Sequence, residues 1–178
     1  MLISFNEINK ILIANNINIT GAFHIGVPDC EELKFYNKIG LKNKNIIWID
    51  AIPINFNNIQ SSNIFDFKIN KQPSIIYINK IYKISSTIDT FFTRNNIEPS
   101  KYNFLNFDIH GAELLALKDS IQNIKYAKAI YFEINENKLS KNCGLINEID
   151  TFLNNYNFVR VLTKTTRYGW GDALYISK

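Results

Sequence analysis

The sequence predicts an α/β fold: a mostly parallel sheet with helices on both faces and an antiparallel strand at its C-terminal end. Three observations carry this expectation. Short apolar strands alternate with amphipathic helical segments along the chain. Residues 22–26 form an apolar strand that runs into Gly26, followed by a capped helix and a second apolar strand closing on Asp50, which is the pattern of a βαβ crossover. The last two strands are joined around Gly169-Trp-Gly171 without a helical pattern, a connection suited to an antiparallel pair.

Taken in order, Ser4 and Glu7 stand at capping-box spacing, and Ile8, Ile11 and Leu12 share one helical face, so a helix should end near Asn15 or Asn16. Asp29 and Glu32 repeat that spacing for a helix closing at Gly40, after which residues 45–50 form the second strand. Between Pro53 and Pro73 the pattern weakens, and only 64–69 alternates as a strand would; 74–84 reads as one or two strands. Residues 86–96 read as a helix burying Ile88, Phe91 and Phe92, 103–109 as a strand stopped by His110-Gly111, and 112–124 as one helix. Strand 129–135, helix 144–156, and strands 158–163 and 172–177 complete the pattern.

With 178 residues, 46% of them hydrophobic, the chain supports one sizeable core, so we expect a single domain over 1–178 with residues 1–16 as an N-terminal helical extension. Apolar runs such as 46–49 fall far short of the roughly 18 residues a membrane span needs. No basic flank leads into an apolar block at the N-terminus, so a cytoplasmic location is expected and no membrane partner. Cys30 and Cys143 lack CxxC spacing, which favours reduced thiols over a disulfide or a zinc site. The formal charge of +4 is mild and its lysines are scattered, which argues against nucleic acid as the main partner.

Gly26 and Asp50 stand at close to the roughly 20-residue spacing at which a crossover offers backbone to a ligand and a carboxylate to its ribose. The run Gly-x-Gly-x-x-Gly is absent, with Pro28 and Cys30 in the turn, so a ligand without phosphates fits better than a dinucleotide.

Five blocks resemble the FkbM family of class I methyltransferases, in the family's order: Ala22-Phe-His-Ile-Gly26 with Cys30-Glu-Glu-Leu-Lys-Phe-Tyr36, Ile47-Trp-Ile-Asp-Ala51, the stretch 103–118 containing Asp108-Ile-His-Gly-Ala-Glu113, Phe132-Glu-Ile-Asn135, and Gly169-Trp-Gly-Asp-Ala-Leu-Tyr175. The resemblance implies a Rossmann-like class I methyltransferase fold, S-adenosylmethionine as cofactor, and methyl transfer to a hydroxyl of a small-molecule or glycan acceptor. By position it places Gly26, with His24 and Asp29 in and beside its loop, at the methionine part of the cofactor, and Asp50 at the ribose. Three departures stand out. His24 occupies the place where the first strand commonly ends in an acid, Val27-Pro28 replaces small and polar loop residues, and the segment after Asp50 looks too short for the family's next helix and third strand. A fold lacking the usual third strand and its preceding helix is therefore expected, with 65–70 or 74–78 moving up to cover the exposed edge of the second strand.

Methyl transfer from a sulfonium is an in-line displacement that rests on positioning, with a general base useful for a hydroxyl acceptor. His110, directly after the strand bearing Asp108, is the candidate base, against the alternative of a solvent-facing turn histidine. Asp108 ends a central strand at the carboxyl edge, where open α/β sheets bind ligands, and Glu133 on the next strand could converge with it on acceptor hydroxyls. No metal site is expected. Glu113 reads as an acid at a helix start, favoured by the helix dipole whatever the function. The competing reading is a catalytically inactive, methyltransferase-like binding or structural module with an incomplete cofactor site.

Overall fold

The computed structural model describes residues 1–26, 32–50, 64–66, 87–109, 111–137 and 144–178, with 50 and 64–66 described as backbone. Seven strands form one sheet in the order β3-β2-β1-β4-β5-β7-β6: β1 (Ala22–Ile25), β2 (Ile46–Asp50), β3 (Ile64–Asp66), β4 (Phe104–Phe107), β5 (Ala129–Asn135), β6 (Phe158–Thr165) and β7 (Trp170–Ser177). The pairs from β3 through β5 are parallel, and β7 runs antiparallel to both β5 and β6. The helices are α1 (Phe5–Ala14), α2 (Leu33–Lys38), α3 (Ile88–Arg94), α4 (Glu113–Lys118), α5 (Ile121–Ile124) and α6 (Ile146–Asn154).

Strand alternation sorts the side chains into two apolar layers. Phe23, Ile25, Ile47, Ile49, Leu105 and Phe107 face one side and pack against α3 to α6, where Phe91, Phe92, Leu117, Ile149 and Leu153 close the layer. Ala22, Ile46, Trp48, Phe104 and Tyr131 face the other side, covered by Ile8 and Leu12 of α1 and by Phe35 and Tyr36 of α2. Both faces of the parallel strands are therefore dry, which is why these strands read as near-continuous apolar runs.

The N-terminal helix starts as its sequence dictates, with Ser4 and Glu7 forming a reciprocal capping box. Glu7 also pairs with Lys164 of β6 at 2.7 Å, tying α1 to the far end of the sheet. Two expectations change. The place outside β2 is not vacant: β3 pairs with it in parallel register from Trp48↔Ile64 to Asp50↔Asp66, so the third place, expected to lose its usual strand, is filled by part of the stretch expected to move up over that edge. A parallel edge as apolar as Ile46 to Ile49 needs a covering strand, and Ile64-Phe65-Asp66, the start of the alternating stretch, supplies it. The expected loss of the helix before that strand and the strands expected over 74–84 fall on positions outside the described residues.

Residues 112–124 are not one helix either. The Asp119 N–H returns to Leu115 and Ala116, the Ser120 hydroxyl donates to the Leu117 carbonyl at 2.9 Å, and α5 begins afresh at Ile121. Its first N–H groups, on Gln122 and Asn123, donate to the Asp89 carboxylate of α3, which also accepts from the Asn123 side chain at 2.7 Å. A cap supplied from another helix carries no signal in the local sequence.

Candidate active site

Sheet register aligns four of the candidate residues. Ile25 pairs with Ile49 and with Phe107, and Phe107 with Phe132, so Gly26, Asp50, Asp108 and Glu133 each stand one position beyond, in a single row across β2, β1, β4 and β5. At about 4.8 Å per strand that row spans roughly 15 Å at the carboxyl edge, where ligands bind in open α/β sheets.

Gly26 turns the chain at φ +87°. Its N–H donates to the Ile49 carbonyl at 2.8 Å, and the Asp108 N–H donates to the Ile25 carbonyl at 2.9 Å, so the turn is clamped between β2 and β4. A Cβ at Gly26 would lie 1.6 Å from the Asp108 carbonyl oxygen, leaving no room for a side chain. Only glycine satisfies both the left-handed φ and this approach.

His24 lies deeper than a loop residue. It is fully buried beneath α2, with its ring 5.0 Å from that of Trp48. The Tyr36 hydroxyl lies 3.1 Å from His24 Nδ1, and Asn106 Nδ2 lies 3.3 Å from the same atom and 3.2 Å from the Tyr36 oxygen. Burial pushes the Tyr36 pKa up, so its hydroxyl keeps the proton. Asn106 then donates to Tyr36 and Tyr36 to His24, which makes Nδ1 an acceptor and assigns the ring proton to Nε2 in the neutral imidazole. A neutral, hydrogen-bonded histidine fits under the turn where an ionised acid would be costly to bury.

Three carboxylates that the sequence did not single out as site residues border the row. Glu32 precedes α2, yet its side chain makes no cap; burial raises its pKa, and the Asp108 and Asp172 charges add to the rise. Asp172 of β7 is buried opposite Glu133 and accepts the N–H groups of Leu2 and Ile3, the latter at 3.0 Å. Tyr131, two residues before Glu133, has its pKa raised by burial first and then by Asp172. Glu113 is 1% exposed and turns back onto the loop after β4, accepting from Ile109 N–H at 3.1 Å and from Gly111 N–H at 3.1 and 2.9 Å. Spacing alone did not place Glu32 or Asp172 beside this row, because their neighbours come from distant parts of the chain.

Asp29 and His110 lie outside the described residues, as does the side chain of Asp50. The broad groove between α6 and β6, lined by Asp150, Arg160 and Tyr175, opens at the β6 edge, away from the row. Among the described residues no helix is long and apolar enough to cross a membrane.

A model of the methyltransferase FkbM domain matches residues 27–160. No curated protein matches the sequence. Among solved structures, a provisionally assigned O-methyltransferase from Klebsiella pneumoniae aligns with a TM-score of 0.57 at 9% identity, over 98% of this chain and 81% of that one. A provisionally assigned tRNA (m1A22) methyltransferase from Streptococcus pneumoniae gives 0.52 at 9% identity, over 99% and 71%. A protein in the NADB-Rossmann superfamily from Streptococcus agalactiae gives 0.52 at 12%, over 99% and 69%. At such identities the likeness establishes a Rossmann-like methyltransferase fold, and a fold shared with a protein described as acting on tRNA does not support excluding nucleic acid as an acceptor. The family match spans most of the chain and takes in β2, β4 and β5 with Asp50, Asp108 and Glu133 at or near their carboxyl ends: the chain belongs to the FkbM methyltransferase family, whose methyl donor is S-adenosylmethionine.

Proposed function

We propose that this chain is an S-adenosylmethionine-dependent O-methyltransferase acting on a hydroxyl of a sugar or glycoconjugate. The observation that carries the reading is the row Gly26, Asp50, Asp108 and Glu133 at the carboxyl edge of four adjacent strands. Two features support the cofactor reading: the turn at Gly26 brings backbone to the carboxyl edge of the sheet, and Asp50 closes β2 where ribose hydroxyls need an acceptor. Bound there, S-adenosylmethionine supplies an electrophilic methyl group. In this reading the backbone at Gly26 and the loop with Asp29 hold the methionine end, His24 supports that turn from below, and Asp50 orients the ribose. Asp108 and Glu133 orient the acceptor hydroxyl, and His110 takes its proton as the methyl group is transferred.

Isothermal titration with S-adenosylhomocysteine, followed by turnover of S-adenosylmethionine against a panel of sugars, tests the proposal. Binding, together with turnover lost in a folded Asp108→Ala variant, is expected; absence of binding at millimolar ligand would sink it. One observation favours the inactive module as a second reading: His24 brings a neutral, inward-bonded ring where class I methyltransferases commonly carry an acid. A folded protein with a closed or filled cofactor cleft and no turnover would select that reading.

A further inference from the structure

Glu113 opens α4, where an acid is ordinarily explained by the helix dipole. Its partners point elsewhere. The carboxylate is buried, and its hydrogen bonds run backwards, to the N–H groups of Ile109 and Gly111 in the loop that leaves β4. Gly111 sits at φ +104°, a conformation that aims its N–H at the carboxylate, and Ala112 N–H returns to the Ile109 carbonyl at 3.4 Å. The peptide on the other side of Ile109 is that of Asp108, whose carbonyl oxygen abuts Gly26, while Ile109 Cγ2 lies 3.3 Å from where a Gly26 Cβ would stand. A continuous path thus runs from the Glu113 carboxylate through the Asp108–Ile109 peptide, whose N–H it accepts and whose carbonyl meets the Gly26 turn.

We propose that Glu113 is a positioning residue for methyl transfer: its carboxylate sets the loop carrying Asp108 and, through the Asp108 carbonyl, the conformation of the Gly26 turn. The proposal rests on the methyltransferase reading above. A two-oxygen acceptor bonded to buried amides is hard to replace, since an amide side chain at 113 offers one acceptor oxygen and sets its NH2 group against a backbone N–H. The loop must then shift, and the turn packed against it must follow.

The test uses the whole chain, 15N-labelled, as wild type and Glu113→Gln. In the variant, with the far-UV spectrum retained, the amide resonances of Asp108, Ile109, Gly111 and Gly26 are expected to move while those of the β6–β7 hairpin stay in place. Calorimetry with S-adenosylhomocysteine should show binding weakened about tenfold. A purely structural Glu113 would lower the melting temperature and leave the Gly26 amide and the affinity where they were, and that result overturns the proposal. Should Gln at 113 prevent folding, Glu113→Asp, which keeps the charge and shortens its reach, is put through the same measurements. If the wild type binds no S-adenosylhomocysteine, the methyltransferase reading fails, while the Gly26 amide still decides whether Glu113 sets the turn.

Discussion

Gly26→Ala tests the junction on which the candidate site depends. An alanine Cβ would lie 1.6 Å from the Asp108 carbonyl oxygen, where real Cβ atoms essentially never come within 3.0 Å, so β1 and β4 must part by more than an ångström at their carboxyl ends. Alanine at φ +87° adds about 1–2 kcal/mol of backbone strain. Parting the strands strains the two bonds that clamp the turn, Gly26 N–H to Ile49 and Asp108 N–H to Ile25, each contributing about 0.5–1.5 kcal/mol. Together these give roughly 2–5 kcal/mol, and at about 2–4 °C per kcal/mol for a chain of this size the melting temperature should fall by roughly 10 °C. Thermal unfolding by circular dichroism reads the first effect and calorimetry with S-adenosylhomocysteine the second, where a turn displaced by an ångström should weaken binding by about tenfold or more. A variant that melts within about 2 °C of wild type and binds with the same Kd refutes the close approach of the two strands.

Tyr36→Phe removes the hydroxyl between Asn106 and His24, leaving buried polar atoms unsatisfied at a cost of about 1–3 kcal/mol, seen as a melting temperature lower by several degrees. An unchanged melting curve would contradict the assigned hydrogen-bond order. Glu7 offers a pH readout: the hydrogen bond from Lys164, and then those from Ser4, hold its carboxyl at about 2 against an ordinary 4.5. Because the folded value is depressed, this contribution is fully present above pH 4.5 and is lost as the pH falls towards 2. The difference in melting temperature between wild type and Glu7→Gln should therefore be full at neutral pH and shrink across that window; a difference that does not change with pH counts against the ion pair.

The elements that could be read from the chain are those whose cause is local. Ser4 and Glu7 cap α1 because both partners lie within one turn, and the strands at 22–25, 104–107 and 129–135 are mostly apolar because both faces of a parallel sheet are covered. The split between α4 and α5 could not be read, since the Asp89 carboxylate that caps α5 arrives from 33 residues away. The third strand was legible in part, since 64–69 alternates as a strand would and 65–70 was one of two stretches expected to cover β2, but which of the two does so is decided only by the pairing with β2. Among the candidate site residues, Gly26 and Asp50 were legible as a spacing, and Asp108 and Glu133 as acids ending apolar strands. Their alignment in one row was not, because register depends on which strands are neighbours.

By itself, then, the sequence determined the alternation of strands and helices, the Gly26–Asp50 pair and the family to which those blocks belong, all properties of residues near one another along the chain. Tertiary structure alone decided that His24 is a buried partner of Tyr36 and Asn106, that Glu32 and Asp172 border Asp108 and Glu133, and that Glu113 holds the loop packed on Gly26. The physical reason is the same for each. Burial and hydrogen bonding between segments far apart in sequence set the charge state and geometry of a group, and neither is encoded in the few residues on either side of it.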